Sequence, residues 1–127
     1  MSKVKGIGGI FFKTKNAEKT RNWYRENLGI ESENYGYCFQ WRDKLDPEKE
    51  HYTVWSPFPG NTKYFAPSKR EFMVNFIVDN LFETLDELKD KGVEVLPEIE
   101  QSEFGKFGWI IDPDGVKVEL WEPPKTG

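Results

Sequence analysis

The sequence has a single cysteine, a single histidine, no surplus of basic residues and no long apolar run. Cys38 has no internal disulfide partner, which fits a reducing compartment, and it reads as a small strand residue rather than a catalytic thiol. No stretch approaches the roughly 20 apolar residues that a bilayer demands, and no secretory leader is recognisable. A cytoplasmic protein without a membrane partner is therefore expected. Lysine and arginine are scattered through a chain of net charge −4 and pI near 5.1, so the electrostatic drive for nucleic-acid binding is missing.

Aromatic residues are abundant: five Trp, five Tyr and ten Phe in 127 residues. That exceeds what a core of this size needs, and aromatic walls commonly line small-molecule pockets. For any one of these rings, core packing or a dimer contact is the plainer role. The length suits one domain over residues 1–127.

Along the chain, "GIGGIFFKTKN" reads as a strand. Asn16 then caps a helix that places Ala17, Thr20, Tyr24 and Leu28 on one face and ends at Gly29. Two strand-like runs, "YGYCFQWR" and "HYTVWSPF", flank the charged loop "DKLDPEKE", which reads as a solvated turn. A linker, "SPFPGNTKYFAPSK", carries three prolines with Phe58, Tyr64 and Phe65, and is stiff enough to serve as a lid. The order then returns: "REFMVNFIVDN" as strand, Asn80 and Glu83 as a capping box, and a Leu81, Leu85, Leu88 stripe ending near Gly92. "VEVLPEI", "KFGWIID" and "VKVELW" follow as strands, the last two joined by a "DPDG" turn.

Two βαβββ modules are thus expected, one over about residues 4–60 and one over about 70–124. Laying "YTVWSPFP" over "VKVELWEPP" matches Val54 with Leu120, Trp55 with Trp121 and Pro57 with Pro123, which makes Thr53 the counterpart of Glu119. Matching Asn16 with Asn80 makes Gly9 the counterpart of Met73.

The paired modules, "RNWYRENLG" and "WIIDPDGVKVELWEPP" together resemble the vicinal oxygen chelate superfamily, which includes glyoxalase I, bleomycin-resistance proteins, extradiol dioxygenases and fosfomycin-resistance enzymes. The resemblance implies an α+β fold in which a mixed sheet curls around a central cleft with the helices outside. It also implies dimerisation, which the spare aromatics could serve. In metal-using members the cleft holds a divalent ion on one side chain from the first and one from the last strand of each half. Those positions fall here on Gly9, Thr53, Met73 and Glu119, of which only Glu119 keeps the donor. A transition-metal site needs at least three good donors, so no metal and no cofactor is expected.

Taking Glu119 as facing the cleft, strand alternation brings Lys117 and Trp121 to its side and turns Val118 and Leu120 toward a helix. The repeat adds His51, Thr53 and Trp55, and the opening strands add Gly9, Phe11, Lys13, Met73, Asn75 and Ile77; Trp109 and Ile111 are further wall candidates. Ligand contacts are therefore expected from Phe11, Lys13, His51, Thr53, Trp55, Asn75, Trp109 and Trp121, with Glu119 as the reactive or anchoring group. The reading favoured is a metal-independent protein that binds a small aromatic or cationic molecule, like the bleomycin-binding branch. The alternatives are a superfamily enzyme of lyase or dioxygenase type, using either Glu119 as general base or a metal on donors not placed here, and a Glu119 merely paired with Lys13 or His51 in a closed core. "GIGG" lacks the lysine and helix start of a phosphate loop, and its glycines are read as admitting a close neighbour.

Overall fold

The structure, a computed structural model, describes residues 4–125; residues 1–3 and 126–127 of the expected unit lie outside the described residues. Runs rich in Val, Ile, Phe and Trp form seven strands, and two capped segments form helices. In chain order these are β1 (Val4–Thr14), α1 (Ala17–Leu28), β2 (Tyr37–Arg42), β3 (Glu50–Pro59), β4 (Phe72–Val78), α2 (Leu81–Asp90), β5 (Glu94–Ser102), β6 (Gly105–Ile111) and β7 (Lys117–Glu122). They make one mixed sheet in the order β2-β3-β1-β4-β7-β6-β5, curled but not closed. Each half contains one parallel pair, β1 with β3 and β4 with β7, and the halves meet where β1 runs antiparallel to β4 with Gly9 opposite Asn75.

The second half is a full βαβββ unit, whereas the first carries two strands after its helix. The intervening residues 29–36 make only an isolated bridge between Glu33 and Gly36. Two Gly, two Glu and one Asn make up most of that short stretch, and all three types are poor strand formers.

Both helices start as the sequence predicts, the side-chain oxygens of Asn16 and Asn80 accepting from Lys19 N and Glu83 N at 3.0 Å. They differ in burial. The Leu81, Leu85 and Leu88 stripe of α2 packs on Val78, Leu120, Val118 and Ile110, so this side of the sheet is its outer face. The stripe of α1 begins with Ala17 and Thr20 and carries large side chains only in its second half, at Tyr24 and Leu28. None of its residues is buried, Leu28 remains 62% exposed, and the main ring contact is that of Tyr24 with Trp55 at 4.6 Å.

The second core lies on the inner face, where Phe11, Met73 and Trp109 surround Phe65, which is wholly buried although it belongs to the linker between β3 and β4. A bulge at Gly8 interrupts β1 between Ile7 and Gly9. A β-carbon on Gly8 would come within 2.3 Å of the Asn75 Oδ1 and 2.9 Å of Trp121. Gly8 thus admits β4 closely, while Gly6 and Gly9 admit the rings of Trp41 and Phe11, so each glycine of "GIGG" has a close neighbour as the sequence suggests.

Candidate functional site

Glu119 lies in the middle of β7, opposite Asn75 of β4 on one side and Trp109 of β6 on the other. Since Val118 and Leu120 face α2, strand alternation sends Glu119 to the inner face, where it is 2% exposed. Its Oε1 accepts from Asn75 Nδ2 at 2.6 Å, and its Oε2 accepts from Trp109 Nε1 at 2.9 Å and from the Tyr64 hydroxyl. Stripping water from a carboxylate costs several kcal/mol, and hydrogen bonds to a charged group return about 1.5–3 kcal/mol each. Three donors are therefore what keeps this carboxylate tolerable in an aromatic core.

Burial raises the Glu119 carboxyl above its ordinary range, against the opposing pull of Tyr64, Asn75 and Trp109. Tyr64 is pushed upward too, first by burial and then by the charge of Glu119, so it stays protonated and can only donate to the carboxylate. Lys117 is lowered by burial, with Glu119 and Glu98 acting the other way. Its Nζ donates to the Tyr64 carbonyl at 2.8 Å and stands 5.4 Å from the Tyr64 ring and 5.2 Å from the Trp109 ring. The Asn75 Oδ1 is buried with no hydrogen-bond partner among the described residues.

These residues do not fit a divalent metal centre. The groups closing on Glu119 are an indole N–H, an amide N–H and a phenol O–H, all hydrogen donors rather than metal ligands. The strand register places Gly9 beside Val54 and Asn75 beside Glu119, so the four positions at the junction of the halves include one carboxylate and one amide. Among the described residues no three of His, Cys, Asp and Glu are grouped to hold an ion.

The register corrects two expectations. Asn75, not Met73, is the β4 residue beside Glu119; Met73 is packed in the inner core. In the first half, Val54 rather than Thr53 turns toward the inner cluster, so His51, Thr53 and Trp55 lie elsewhere. Trp55 packs on Tyr24 of α1 and on Phe12. The Thr53 hydroxyl donates to the Ile7 carbonyl and accepts from Trp41 Nε1, while His51 Nε2 meets Asp43 Oδ2 at 3.1 Å beneath the Trp41 ring. The reason is the pairing: Gly9 lies opposite Val54 as Asn75 lies opposite Glu119, so Val54, one residue beyond Thr53, is the counterpart of Glu119, and a slip of one residue turns a strand over.

The other expected residues do gather on the inner side. Asn75 and Trp109 touch Glu119 directly. Phe11 packs with Phe65 and Met73 below, and Lys13 Nζ stands 5.8 Å from the Phe65 ring. Trp121 stacks on Phe107 at 5.8 Å and donates to the Phe104 carbonyl, one layer away from the carboxylate. Glu119 therefore pairs with neither Lys13 nor His51 but with donors on three separate elements.

The sequence places Tyr64 and Phe65 in a stiff linker able to serve as a lid, without a partner for either ring. The linker is a strap that folds over the inner face, with Phe65 as its plug and Tyr64 as the hydroxyl donor. Two aromatics between prolines were the available signal. Asp43, which begins the charged loop, is 6% exposed and caps the turn through Leu45 N and Asp46 N as well as holding His51. Beside the strap a groove of about 350 Å³ is lined by Tyr64, Ala66, Pro67, Leu96, Pro97, Glu98, Trp109 and Lys117. Two of its wall residues, Tyr64 and Trp109, are donors to Glu119, so the buried carboxylate lies one side chain beneath the groove.

The model of the Glyoxalase/Bleomycin resistance protein/Dioxygenase superfamily matches residues 6–120. No curated protein matches the chain. Among solved structures, a variant methylmalonyl-CoA epimerase from Streptomyces coelicolor in complex with 2-nitronate-propionyl-CoA is similar with TM-score 0.69 and 19% identity, over 97% of this chain and 100% of that one. An NAD-dependent benzaldehyde dehydrogenase structure from Legionella pneumophila gives 0.60 and 19%, over 91% and 98%. Methylmalonyl-CoA epimerase from Mycobacterium tuberculosis gives 0.59 and 15%, over 96% and 90%. At these identities the likeness shows the fold alone.

Proposed function

Given that the chain belongs to the Glyoxalase/Bleomycin resistance protein/Dioxygenase superfamily, we propose that it binds a small organic molecule without a metal, in the aromatic groove above Glu119. The observation that carries this reading is the shared wall: Tyr64 and Trp109 line the groove and also hold the carboxylate. Leu96, Ala66, Pro67 and Pro97 supply apolar surface and the two rings supply flat faces, as in a typical organic-ligand pocket. The wall carries the Lys117 ammonium together with the Glu98 carboxylate, so the groove offers flat apolar faces to an aromatic ring and a carboxylate to a cationic one.

The test is a titration of the protein with neutral and cationic aromatic compounds, followed by the amide and indole N–H resonances. A neutral ring is expected to move the Trp109 indole N–H while leaving Trp23, on the outer surface of α1, in place. Failure of every aromatic compound to move Trp109 would remove the reading.

A second reading has one specific support. Burial raises the Glu119 carboxyl, and a carboxylate so placed is a stronger base than a free glutamate. As general base it would abstract a proton from a carbon acid that enters from the groove and displaces the Tyr64 hydroxyl from its Oε2. Solvent deuterium would then enter such a substrate with the native protein and not with Glu119→Gln of intact fold.

A further inference from the structure

We propose that Tyr64 is an internal stand-in for the ligand, and that the molecule which displaces it presents a phenol-type hydroxyl on an aromatic ring to Glu119. This rests on the binding reading above and narrows it to a ligand class.

The surroundings of Tyr64 are those of a bound guest. Its ring lies near parallel to Phe58 at 5.8 Å and edge-on to Trp109 at 6.2 Å, with the Lys117 ammonium over one face. Its hydroxyl ends on a carboxylate that is itself built into the sheet. Apart from Phe65, which is buried in the inner core, the strap has few ties to the sheet. The backbone hydrogen bonds of residues 60–69 close within the strap and its own ends: Thr62 N to Pro59 O, Ala66 N to Lys63 O, and Ser68 N to Phe65 O. Among the described residues, its hydrogen bonds to the rest of the fold are the Tyr64 hydroxyl on Glu119 and Lys117 on the Tyr64 carbonyl. Displacing the strap therefore breaks no sheet ladder, and the loss falls on the Tyr64 and Phe65 side chains.

The chemistry of what remains selects the replacement. With Tyr64 withdrawn, Glu119 keeps Asn75 and Trp109 and lacks one donor, and the Asn75 Oδ1 beside it is already an unsatisfied acceptor. A ring without a donor would cover a carboxylate left short of a hydrogen bond, which such sites reject. A ring with a hydroxyl restores the bond that the phenol of Tyr64 made. The groove already gives access along the Tyr64 and Trp109 walls.

The experiment compares para-cresol, the free side chain of tyrosine, with para-methylanisole, which has the same ring and no donor. Binding to the native protein, Tyr64→Phe, Tyr64→Ala and Glu119→Gln is read by calorimetry and by the Trp109 indole N–H. Para-cresol is expected to bind the native protein about tenfold or more tightly than para-methylanisole, on the scale of one charge-assisted hydrogen bond. Its affinity should rise several-fold, roughly, in Tyr64→Phe and about tenfold or more in Tyr64→Ala, because the internal competitor is loosened or removed. The preference for para-cresol should collapse in Glu119→Gln. Tyr64→Phe keeps the ring and so remains informative if Tyr64→Ala does not fold. Equal binding of the two compounds to the native protein, or a para-cresol affinity unchanged by loss of the Tyr64 hydroxyl, overturns the inference. If other neutral aromatics move Trp109 while para-cresol does not, the inference falls and the binding reading stands. If nothing binds the native protein, both fall.

Discussion

Tyr64 and Glu119 are 55 residues apart in the chain, and the phenol of one donates to the carboxylate of the other. That bond ties an irregular strap to the centre of the sheet and converts what would be an open inner face into a core with a side groove. The relationship can be measured as an energy. Tyr64→Phe is expected to lower the unfolding free energy by about 1.5–3 kcal/mol in urea titrations, the range for a hydrogen bond to a charged group. In a double-mutant cycle with Glu119→Gln the two effects should be coupled; strict additivity would mean that the bond contributes nothing.

Glu119 should also make stability fall as pH rises. Its folded carboxyl titrates above the ordinary value of 4.5, so the folded state holds its proton more tightly than the unfolded one. The contribution is complete below the ordinary range and is lost as pH climbs through the folded value. Denaturation curves collected upward from that range should show a decline in the native protein and a flatter profile in Glu119→Gln.

Asp43 works in the opposite direction. The hydrogen bond from His51, followed by that from Leu45 N, lowers its pKa to about 2 from 3.8. Its contribution is present above 3.8 and disappears as pH falls toward 2. Asp43→Asn should therefore remove part of the acid sensitivity of the thermal midpoint in that window. An unchanged acid limb would show that His51 and Asp43 are not coupled in solution.

The two helices should respond differently to the same truncation. Leu85→Ala in α2 removes a side chain that is 4% exposed and is expected to cost about 2–5 kcal/mol. Leu28→Ala in α1, at 62% exposure, should stay within about 0.5 kcal/mol. Comparable losses at the two positions would mean that α1 is covered in solution by something absent from the isolated chain.

Much of the fold could be read from local pattern. The caps at Asn16 and Asn80, the Leu81, Leu85, Leu88 stripe and the turn at Asp112, whose side chain accepts from Asp114 N and Val116 N, all depend on residues close in sequence. The two faces of β7 were equally legible, because Val118 and Leu120 flank Glu119 within one strand, and the family resemblance marked the Glu119 face as the inner one. The facing of β3 was not. It required knowing that Gly9 pairs with Val54, a property of the ladder between β1 and β3 rather than of either strand alone.

The sequence by itself determined most of the elements, their two-fold recurrence in outline and the placing of Glu119 on the last strand, since each follows from short-range periodicity. Tertiary structure alone decided what closes around that carboxylate. A strap has no periodicity to reveal where it lands, and Tyr64 becomes a partner of Glu119 only when Phe65 is buried among Phe11, Met73 and Trp109, side chains drawn from three different strands.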